Sequence, residues 1–195
     1  MYKILSLVAA LAFGVASSAQ ASTVASFGTG STGSVVGGTV VSSAALSDTN
    51  NGAYFQGATS PASNWVWQNT PDEFASLTYT FSFDLSGYNL NTASLDGLWG
   101  IDNIGTVELN GNLLSSLPNV VVGNFNVLTA YGSSIASEFN QGINSLVFSV
   151  ANQGGPGAFR ASGTVTASPV PVPAAGFLLV GALGGLGLMR RRKKS

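Results

Sequence analysis

The clearest hydrophobic pattern in this chain of 195 residues is a strict alternation between positions 75 and 85. Polar residues separate five apolar ones that occupy every second position: Leu77, Tyr79, Phe81, Phe83 and Leu85. Successive side chains of a strand point to opposite faces of a sheet, so this period predicts a strand with one buried face.

Shorter β-prone runs lie on both sides of this strand, at 23–27, 39–45, 95–103, 106–114, 144–151 and 158–166, with a further strand expected within 117–131. The dipeptide Asn110-Gly111 between apolar flanks predicts a type I′ hairpin. Residues 133–140 predict only a short helical turn. With about eight to ten short strands and no long helical pattern, the sequence predicts an all-β fold, an antiparallel β-sandwich or jelly roll.

The first 21 residues have the pattern of a secretory signal peptide. Lys3 precedes an apolar run at 4–16, and Ala19-Gln20-Ala21 is a small-x-small cleavage site. We expect export by the Sec machinery and cleavage by signal peptidase after Ala21, with an uncleaved anchor as the alternative. Residues 22–168 then form the ectodomain, and this length suits a single domain.

The C-terminal segment 169–195 divides into three parts. Prolines at 169, 171 and 173 enforce an extended chain. Residues 174–189 are apolar and predict a transmembrane helix, although about 24 Å of helix is short for a hydrocarbon core of about 30 Å. Because cations are costly to move across a bilayer, the basic tail is expected to stay in the cytoplasm. Its residues are Arg190, Arg191, Arg192, Lys193 and Lys194.

This order of parts resembles the C-terminal sorting signals of the bacterial PEP-CTERM class, in particular its VPLPA-CTERM variant. The motif here is Val170-Pro171-Val172-Pro173-Ala174, with Val172 where the variant usually has Leu. The resemblance implies cleavage near the motif by an exosortase, a membrane-embedded cysteine transpeptidase. It also implies a transient anchor in the inner membrane of a Gram-negative bacterium, followed by transfer to the cell surface or extracellular matrix. The alternative is an ordinary tail anchor with a proline-rich stalk.

The charge of the ectodomain excludes some functions. Arg160 is its only cation and stands against eight Asp and Glu residues, which gives a net charge of −7. Such a surface repels phosphate backbones, so we expect no binding to nucleic acid. The chain contains no Cys and no His. Cys–His and Ser–His catalysis and the usual structural zinc sites are therefore excluded.

Two polar segments of the ectodomain each have a simple structural interpretation. Gly28, Gly30 and Gly33 spell G-x-G-x-x-G, but no βαβ unit surrounds them, so a flexible loop is favoured over a dinucleotide site. The run at 48–52 fits a turn capped by Asx side chains. Asp48 and Asn50, together with Asp102, are also candidate Ca²⁺ ligands. Because the EF-hand spacing is missing, the plain turn is favoured, and Ca²⁺ is the only cofactor that the sequence suggests.

Three tryptophans are candidates for either a core or a sugar platform. Trp65 and Trp67 would lie on the same side of any strand that holds both. We favour the core for this pair. The alternative is that Trp65, Trp67 or Trp99 stacks against a sugar.

A second resemblance involves the run Leu-Trp-Gly-Ile-Asp-Asn at 98–103, followed by Val-Glu-Leu-Asn-Gly at 107–111. This is similar to the "W-x-x-D-N … v-x-L-N-G" pattern of galactose-binding-like jelly rolls. Residues 142–152 match the "G-x-N-x-L-x-F-x-V-x-N" strand that follows it in those domains, and 159–163 stand where their closing strand lies. The resemblance implies a fold more firmly than a ligand.

Asp102, Asn103 and Arg160 each allow a structural and a functional interpretation. The favoured role of Asp102 and Asn103 is to bond backbone amides and hold a loop. The alternative is a polar pair in a carbohydrate or Ca²⁺ site. For Arg160 the default is an ion pair with a nearby carboxylate, and the alternative is a bidentate contact to a sugar acid.

Catalysis is not expected. A glycosidase needs two carboxylates that face each other across a cleft, and the only adjacent acidic pair, Asp72-Glu73, would point to opposite faces of a strand. The sequence therefore predicts a non-catalytic exported surface protein. Its leading role is structural or adhesive in a matrix of exopolysaccharide or biofilm, and the alternative is a lectin-like carbohydrate-binding domain.

Overall fold

The computed structural model describes residues 20–69, 74–119 and 123–171. The apolar run at 4–16, the Asp72-Glu73 pair and everything from Val172 onward lie outside the described residues. The signal helix, the transmembrane helix, the basic tail and most of the sorting motif are therefore outside as well. Within the described part, no helix is long and apolar enough to cross a membrane.

Residues Gln20–Val170 form one compact unit, in which the described residues contain twelve strands in two antiparallel sheets. The seven-stranded sheet has the order β10-β7-β12-β1-β2, with β5 paired to β12 and β4 paired to β5. The five-stranded sheet has the order β3-β6-β11-β8-β9. The strands are β1 Ser22–Gly28, β2 Val35–Val36, β3 Gly38–Ser42, β4 Leu46–Asp48, β5 Val66–Gln68, β6 Ser76–Asp84, β7 Tyr88–Asp102, β8 Ile104–Leu109, β9 Asn112–Leu117, β10 Thr129–Ser133, β11 Ile143–Ala151 and β12 Ala158–Pro169.

The predicted alternating strand is confirmed as β6. Its four apolar side chains and that of Leu85, just after it, are buried, while Ser76, Thr78 and Asp84 are exposed. Its neighbour β11 alternates in the same way, and their register places Leu146 opposite Phe81. Period-two patterning thus sends one face of each strand into the core.

The inner faces of the two sheets meet in an aromatic core, which confirms the predicted sandwich. Phe27 from the seven-stranded sheet lies 4.6 Å from Phe81 of the other sheet, measured between ring centroids. Phe148 and Phe159 meet across the same gap at 5.2 Å. All four side chains are fully buried, and aromatic pairs at such distances stabilise a core beyond the area that they bury.

The hairpin prediction is also confirmed. Asn110 and Gly111 join β8 to β9 with φ of 52° and 84°, and a type I′ turn requires positive φ at both central residues. The Asn110 side chain binds the start of β11, because its Oδ1 accepts from the Ser145 amide at 2.9 Å and its Nδ2 donates to Asn144 Oδ1 at 2.8 Å.

The residues of the second sequence resemblance lie mainly in the core. Val107 faces Phe148 and Leu109 faces Leu146 across the β8–β11 register. These four side chains and Trp99 are fully buried. The pattern therefore describes how β7, β8 and β11 pack, and it does not mark a surface.

The strand boundaries depart from the prediction in three places. β7 begins at Tyr88 and not near Leu95, because its polar first half pairs with the end of β12. The strand expected within 117–131 is β10, which starts only at Thr129. The short β4 falls where a turn was expected to begin, at Asp48. The helical turn within 133–140 is confirmed as a 3₁₀ turn at Ala136–Glu138.

Both ends of the compact unit are strand ends. β1 begins at Ser22, and Ser22 lies opposite Ala167 of β12. β12 continues to Pro169, and the amide of Val170 donates to the carbonyl of Gly87 at 2.8 Å. The folded unit therefore includes the first residue of the proline-rich motif, while the side chain of Val170 is exposed.

Candidate functional site

A polar cleft of about 550 Å³ opens near the start of β12, at one end of the seven-stranded sheet. Three segments before β5 contribute its hydroxyl, amide and carboxylate groups, and Arg160 enters from β12. Four of the residues singled out from the sequence line it: Asp48, Asn50, Trp65 and Arg160. Asp102, Asn103, Trp67 and Trp99 do not line this cleft.

Arg160 is almost fully buried, with 5% of its surface exposed, and it bonds only neutral oxygens. Its Nε donates to Ser63 Oγ at 3.0 Å, Nη1 to the Phe55 carbonyl at 3.0 Å, and Nη2 to the Gly57 carbonyl at 2.9 Å. The ion pair expected for Arg160 is not formed with any described carboxylate. Three backbone and hydroxyl oxygens of the 55–63 loop take its place.

The surroundings of Arg160 leave its charge uncompensated within the described part of the chain. The Phe55 ring lies 5.9 Å from the guanidinium carbon, which is within range of a cation–π contact. Burial lowers the pKa of Arg160 because desolvation disfavours the charged form. A guanidinium has five N–H donors, and three contacts to neutral acceptors leave donors available to a ligand.

Asp48 is the acidic group of the cleft. Ser31 donates to it through its hydroxyl and through its amide, which lies 2.8 Å from Oδ1. Asn64 Nδ2 donates to Oδ2 at 2.8 Å. These bonds, those from Ser31 first, lower the pKa of Asp48, because hydrogen bonds to a carboxylate favour its charged form.

The glycine-rich segment packs closely against the segment before β5, and its Thr32 lines the cleft. A Cβ at Gly28 would lie 1.9 Å from the carbonyl oxygen of Ala62. Gly30 has φ of +81°, and a Cβ there would lie 2.7 Å from Asp48 Oδ1. Thr32 Oγ1 donates to Asn64 Oδ1 at 2.7 Å, which ties the same loop to the segment before β5. The glycines are thus explained by close backbone approach.

The run at 48–52 contains the expected Asx turn, but the turn is centred on Asn51. Asn51 Oδ1 accepts from the Ala53 amide at 3.0 Å, and the Asn51 carbonyl accepts from the Tyr54 amide at 2.9 Å. Asn50 Oδ1 accepts from Gln56 Nε2 at 3.1 Å. Asp48 is instead the last residue of β4.

Binding of Ca²⁺ remains a prediction, and the positions and hydrogen bonds of the candidate ligands do not strengthen it. Asp48 and Asn50 line the same cleft, but their oxygens already accept hydrogen bonds from Ser31, Asn64 and Gln56. The third candidate, Asp102, lies outside that cleft. Within the described ranges there is no group of three or more His, Cys, Asp or Glu residues that could hold a metal ion.

The three tryptophans are buried, so the core interpretation of Trp65 and Trp67 is confirmed. Their exposed fractions are 3% and 6%, and that of Trp99 is 0%. A sugar cannot stack on rings that have no free face, and the platform hypothesis for these side chains therefore fails. Trp65 Nε1 donates to the Phe55 carbonyl at 2.9 Å and Trp99 Nε1 to Ser115 Oγ at 3.0 Å. Trp67 Nε1 is buried and has no partner among the described residues.

Asp102 and Asn103 join two loops to the end of β7. Asn103 Oδ1 accepts from the Gln153 amide at 2.7 Å, as expected for a side chain that holds a loop. The Asp102 side chain bonds no backbone amide of a described residue. It accepts from Tyr54 Oη at 3.3 Å and from Asn103 Nδ2 at 2.6 Å. Burial raises the pKa of Asp102, an effect that these two bonds only partly oppose.

Comparisons with known proteins return structural similarity at low sequence identity. No family model matches the chain, and no curated protein matches it. One similar solved structure is a family 35 carbohydrate binding module from Clostridium thermocellum, with 14% identity, a TM-score of 0.36, and coverage of 64% of this chain and 90% of that one. Another is a family 35 carbohydrate binding module from an environmental isolate, with 17% identity, a TM-score of 0.38, and coverage of 71% and 94%.

Proposed function

We propose that this chain is an exported, non-catalytic protein whose β-sandwich binds carbohydrate in the polar cleft. The observation that carries the proposal is the state of Arg160: a buried cation that lines the cleft and bonds three neutral oxygens. Burying an unpaired charge is unfavourable, so the site gains from a ligand that supplies acceptor oxygens.

The other groups of the cleft fit the hydroxyl groups of a sugar. Asp48 only accepts hydrogen bonds, and Thr32 and Gln56 donate within the protein but keep side-chain oxygens that can accept; all three are exposed. Sugar hydroxyls both donate and accept. A cleft that combines these acceptor oxygens with the donors of a guanidinium can therefore orient a sugar ring without an aromatic platform.

Within this proposal, a sugar that bears a carboxylate is favoured. A carboxylate would take the donors of Arg160 that the loop leaves unused and would compensate its charge. The net charge of −7 repels a polyanion at long range, but a Debye length of about 8 Å at physiological salt confines that repulsion.

Calorimetric titration of residues 20–170 with uronate and neutral oligosaccharides tests the cleft. We expect the uronate to bind more tightly, and Arg160→Lys to reduce that preference about tenfold, since Lys lacks the planar fork. Gln56→Ala should weaken both ligands, and Gln153→Ala, an exposed glutamine outside the cleft, serves as the matched control. If the folded wild type and Arg160→Lys bind the uronate with equal affinity, Arg160 does not bind its carboxylate. If the wild type binds no oligosaccharide, the cleft is not a carbohydrate site.

We also propose that the chain is delivered by the export and sorting signals expected from its sequence. The supporting observation is that the first and last strands of the compact unit lie next to those signals: β1 begins at Ser22, after Ala21, and β12 ends at Pro169, before Val170. An exosortase is then the processing partner, and the cell surface or extracellular matrix, where a structural or adhesive role is compatible with sugar binding, is the destination.

Intact mass of the surface fraction from the native host tests this delivery. The expected mass lacks residues 1–21 and 176–195. A mass that includes the arginine tail would rule out C-terminal processing.

We also infer that the β-sandwich is a galactose-binding-like jelly roll, from the motif at 98–111 and 142–152. The burial of its apolar positions in the described sandwich supports this inference.

A further inference from the structure

The outer face of the five-stranded sheet carries a shallow groove of about 480 Å³ that is separate from the cleft. Four adjacent strands, β6, β11, β8 and β9, each contribute one hydroxyl residue to a row across the sheet, and Ser43 and Ser76 also line the groove. Their register places Ser149 opposite both Thr78 and Thr106, and Thr106 opposite Ser116. These four residues, Thr78, Ser149, Thr106 and Ser116, are called the hydroxyl row, and all of them line the groove.

The hydroxyl row is regular, and its hydroxyls are available. Neighbouring strands lie about 4.8 Å apart, so four strands spread the row over roughly 14 Å. None of the four hydroxyls hydrogen-bonds another described residue. Thr78 bonds Ser43 through its backbone alone: its amide donates to Ser43 Oγ and its carbonyl accepts from the Ser43 amide, both at 2.9 Å. In the cleft, by contrast, the hydroxyls of Ser31, Thr32 and Ser63 are all engaged.

The groove is also free of charge. Its described lining contains no ionisable and no aromatic side chain, and its accessible apolar surface comes from Ile104 and Pro118. In an ectodomain with a net charge of −7, such a surface offers nothing to an anion and little to a cation. The ligand that complements it is neutral, extended, and rich in groups that both donate and accept.

We propose that the groove is a second carbohydrate site, which binds a neutral glycan chain laid across the strands. Each hydroxyl of the row can donate to one sugar oxygen and accept from another. Ile104 and Pro118 offer apolar surface to the C–H faces of the rings. An extended polypeptide is a poorer fit, because peptides add to the edge of a sheet through backbone bonds and not to its flat face. The proposal shares only its ligand class with the cleft.

The test uses residues 20–170, which form one compact unit with a continuous core. The probes are neutral galactomannan, hydroxyethyl cellulose and dextran in affinity electrophoresis. The variant is Thr78→Val with Thr106→Val, which removes two hydroxyls, keeps the side-chain shape and preserves β-branching. Thr39→Val, on the same sheet outside the groove, is the matched control.

We expect at least one probe to retard the wild type and Thr39→Val equally. The double variant should bind that probe about tenfold more weakly, since each lost hydrogen bond is worth a factor of about 2 to 10. Amide shifts on adding the probe should centre on Ser149 and Thr106, not on Ser31 and Asn64.

Three results would overturn the proposal. One is retardation by none of the three probes, and another is equal binding by the double variant. The third is a concentration-dependent dimer in sedimentation that the double variant abolishes, because it would assign the groove to a second copy of the chain. Loss of uronate binding in Arg160→Lys concerns the cleft alone, so the two proposals can fail independently.

Discussion

Buried side-chain donors in this protein differ in whether they have a hydrogen-bond acceptor. Trp99 donates to Ser115 Oγ, Arg160 donates three hydrogen bonds to a loop, and Trp67 Nε1 is buried with no described partner. A buried donor without an acceptor costs about 1–3 kcal/mol. The contrast between the two indoles makes this cost measurable.

We predict that Trp67→Phe destabilises the domain less than Trp99→Phe, by about 1 kcal/mol or more. Both changes remove similar volume, but only Trp99→Phe breaks a hydrogen bond, whereas Trp67→Phe removes an unpaired donor. Urea unfolding of both variants measures the difference. Equal losses would mean that Trp67 Nε1 has an acceptor.

The contributions of Asp102 and Asp48 to the stability of the fold should change with pH in opposite directions. Burial raises the pKa of Asp102, so its folded form holds a proton more tightly than the unfolded chain, and its contribution is present at low pH and lost as pH rises through the folded pKa. The stability of Asp102→Asn relative to wild type should therefore increase from pH 4 to pH 7.

Hydrogen bonds lower the pKa of Asp48, so its contribution is present above the unfolded pKa and lost as pH falls through the folded value. Asp48→Asn should be less stable than wild type at pH 7, and this gap should shrink as the medium is acidified. Urea unfolding at a series of pH values tests both variants. Parallel curves for the two would contradict the assignment.

At the scale of the elements, the hairpin turn between β8 and β9 allows the energetic cost of a backbone conformation to be measured without a change in packing. Gly111 has φ of +84°, and a Cβ there would touch nothing within 4 Å. We predict that Gly111→Ala costs about 1 kcal/mol from the left-handed conformation alone. Gly52, also open to solvent but without positive φ, is the control, and Gly52→Ala should change the unfolding midpoint little.

Strands with strong period two were predictable, and the elements around the cleft were not. The alternation of β6 and β11 and the Asn110-Gly111 turn are local signals, so their positions follow from the sequence. β2 and β4 have only two or three residues each, too few for a period to be visible.

The cleft itself depends on long-range contacts. Arg160 meets Phe55 across about a hundred positions of sequence, and the glycines at 28 and 30 are required only because Ala62 and Asp48 lie against them. The sequence shows a lone cation and a cluster of glycines. It does not show that they lie close together in the fold, because their proximity depends on contacts between distant parts of the chain.

At the scale of the whole molecule, the end of β12 belongs to the fold. Ser168 donates through its amide to Thr92 Oγ1 at 2.9 Å, Pro169 pairs with Tyr88, and Val170 bonds Gly87. We predict that a domain ending at Ala167 is less stable than one ending at Val170 by about 1–3 kcal/mol, since two backbone pairings and a buried serine are lost.

Chemical unfolding of the two proteins measures this loss. A third protein that ends at Pro171 is the control and should match the one ending at Val170. If all three unfold at the same urea concentration, the last three residues of the compact unit contribute nothing.

The direction of β12 also fixes where the polar cleft lies relative to the two ends of the compact unit. Arg160 stands near its start and Pro169 at its finish, so the cleft and the exit of the chain are separated by roughly 30 Å at about 3.3 Å per residue. Because Ser22 lies beside Ala167, the entry of the chain is at that same far end. The polar cleft therefore lies at the end of the compact unit opposite to both Ser22 and Pro169.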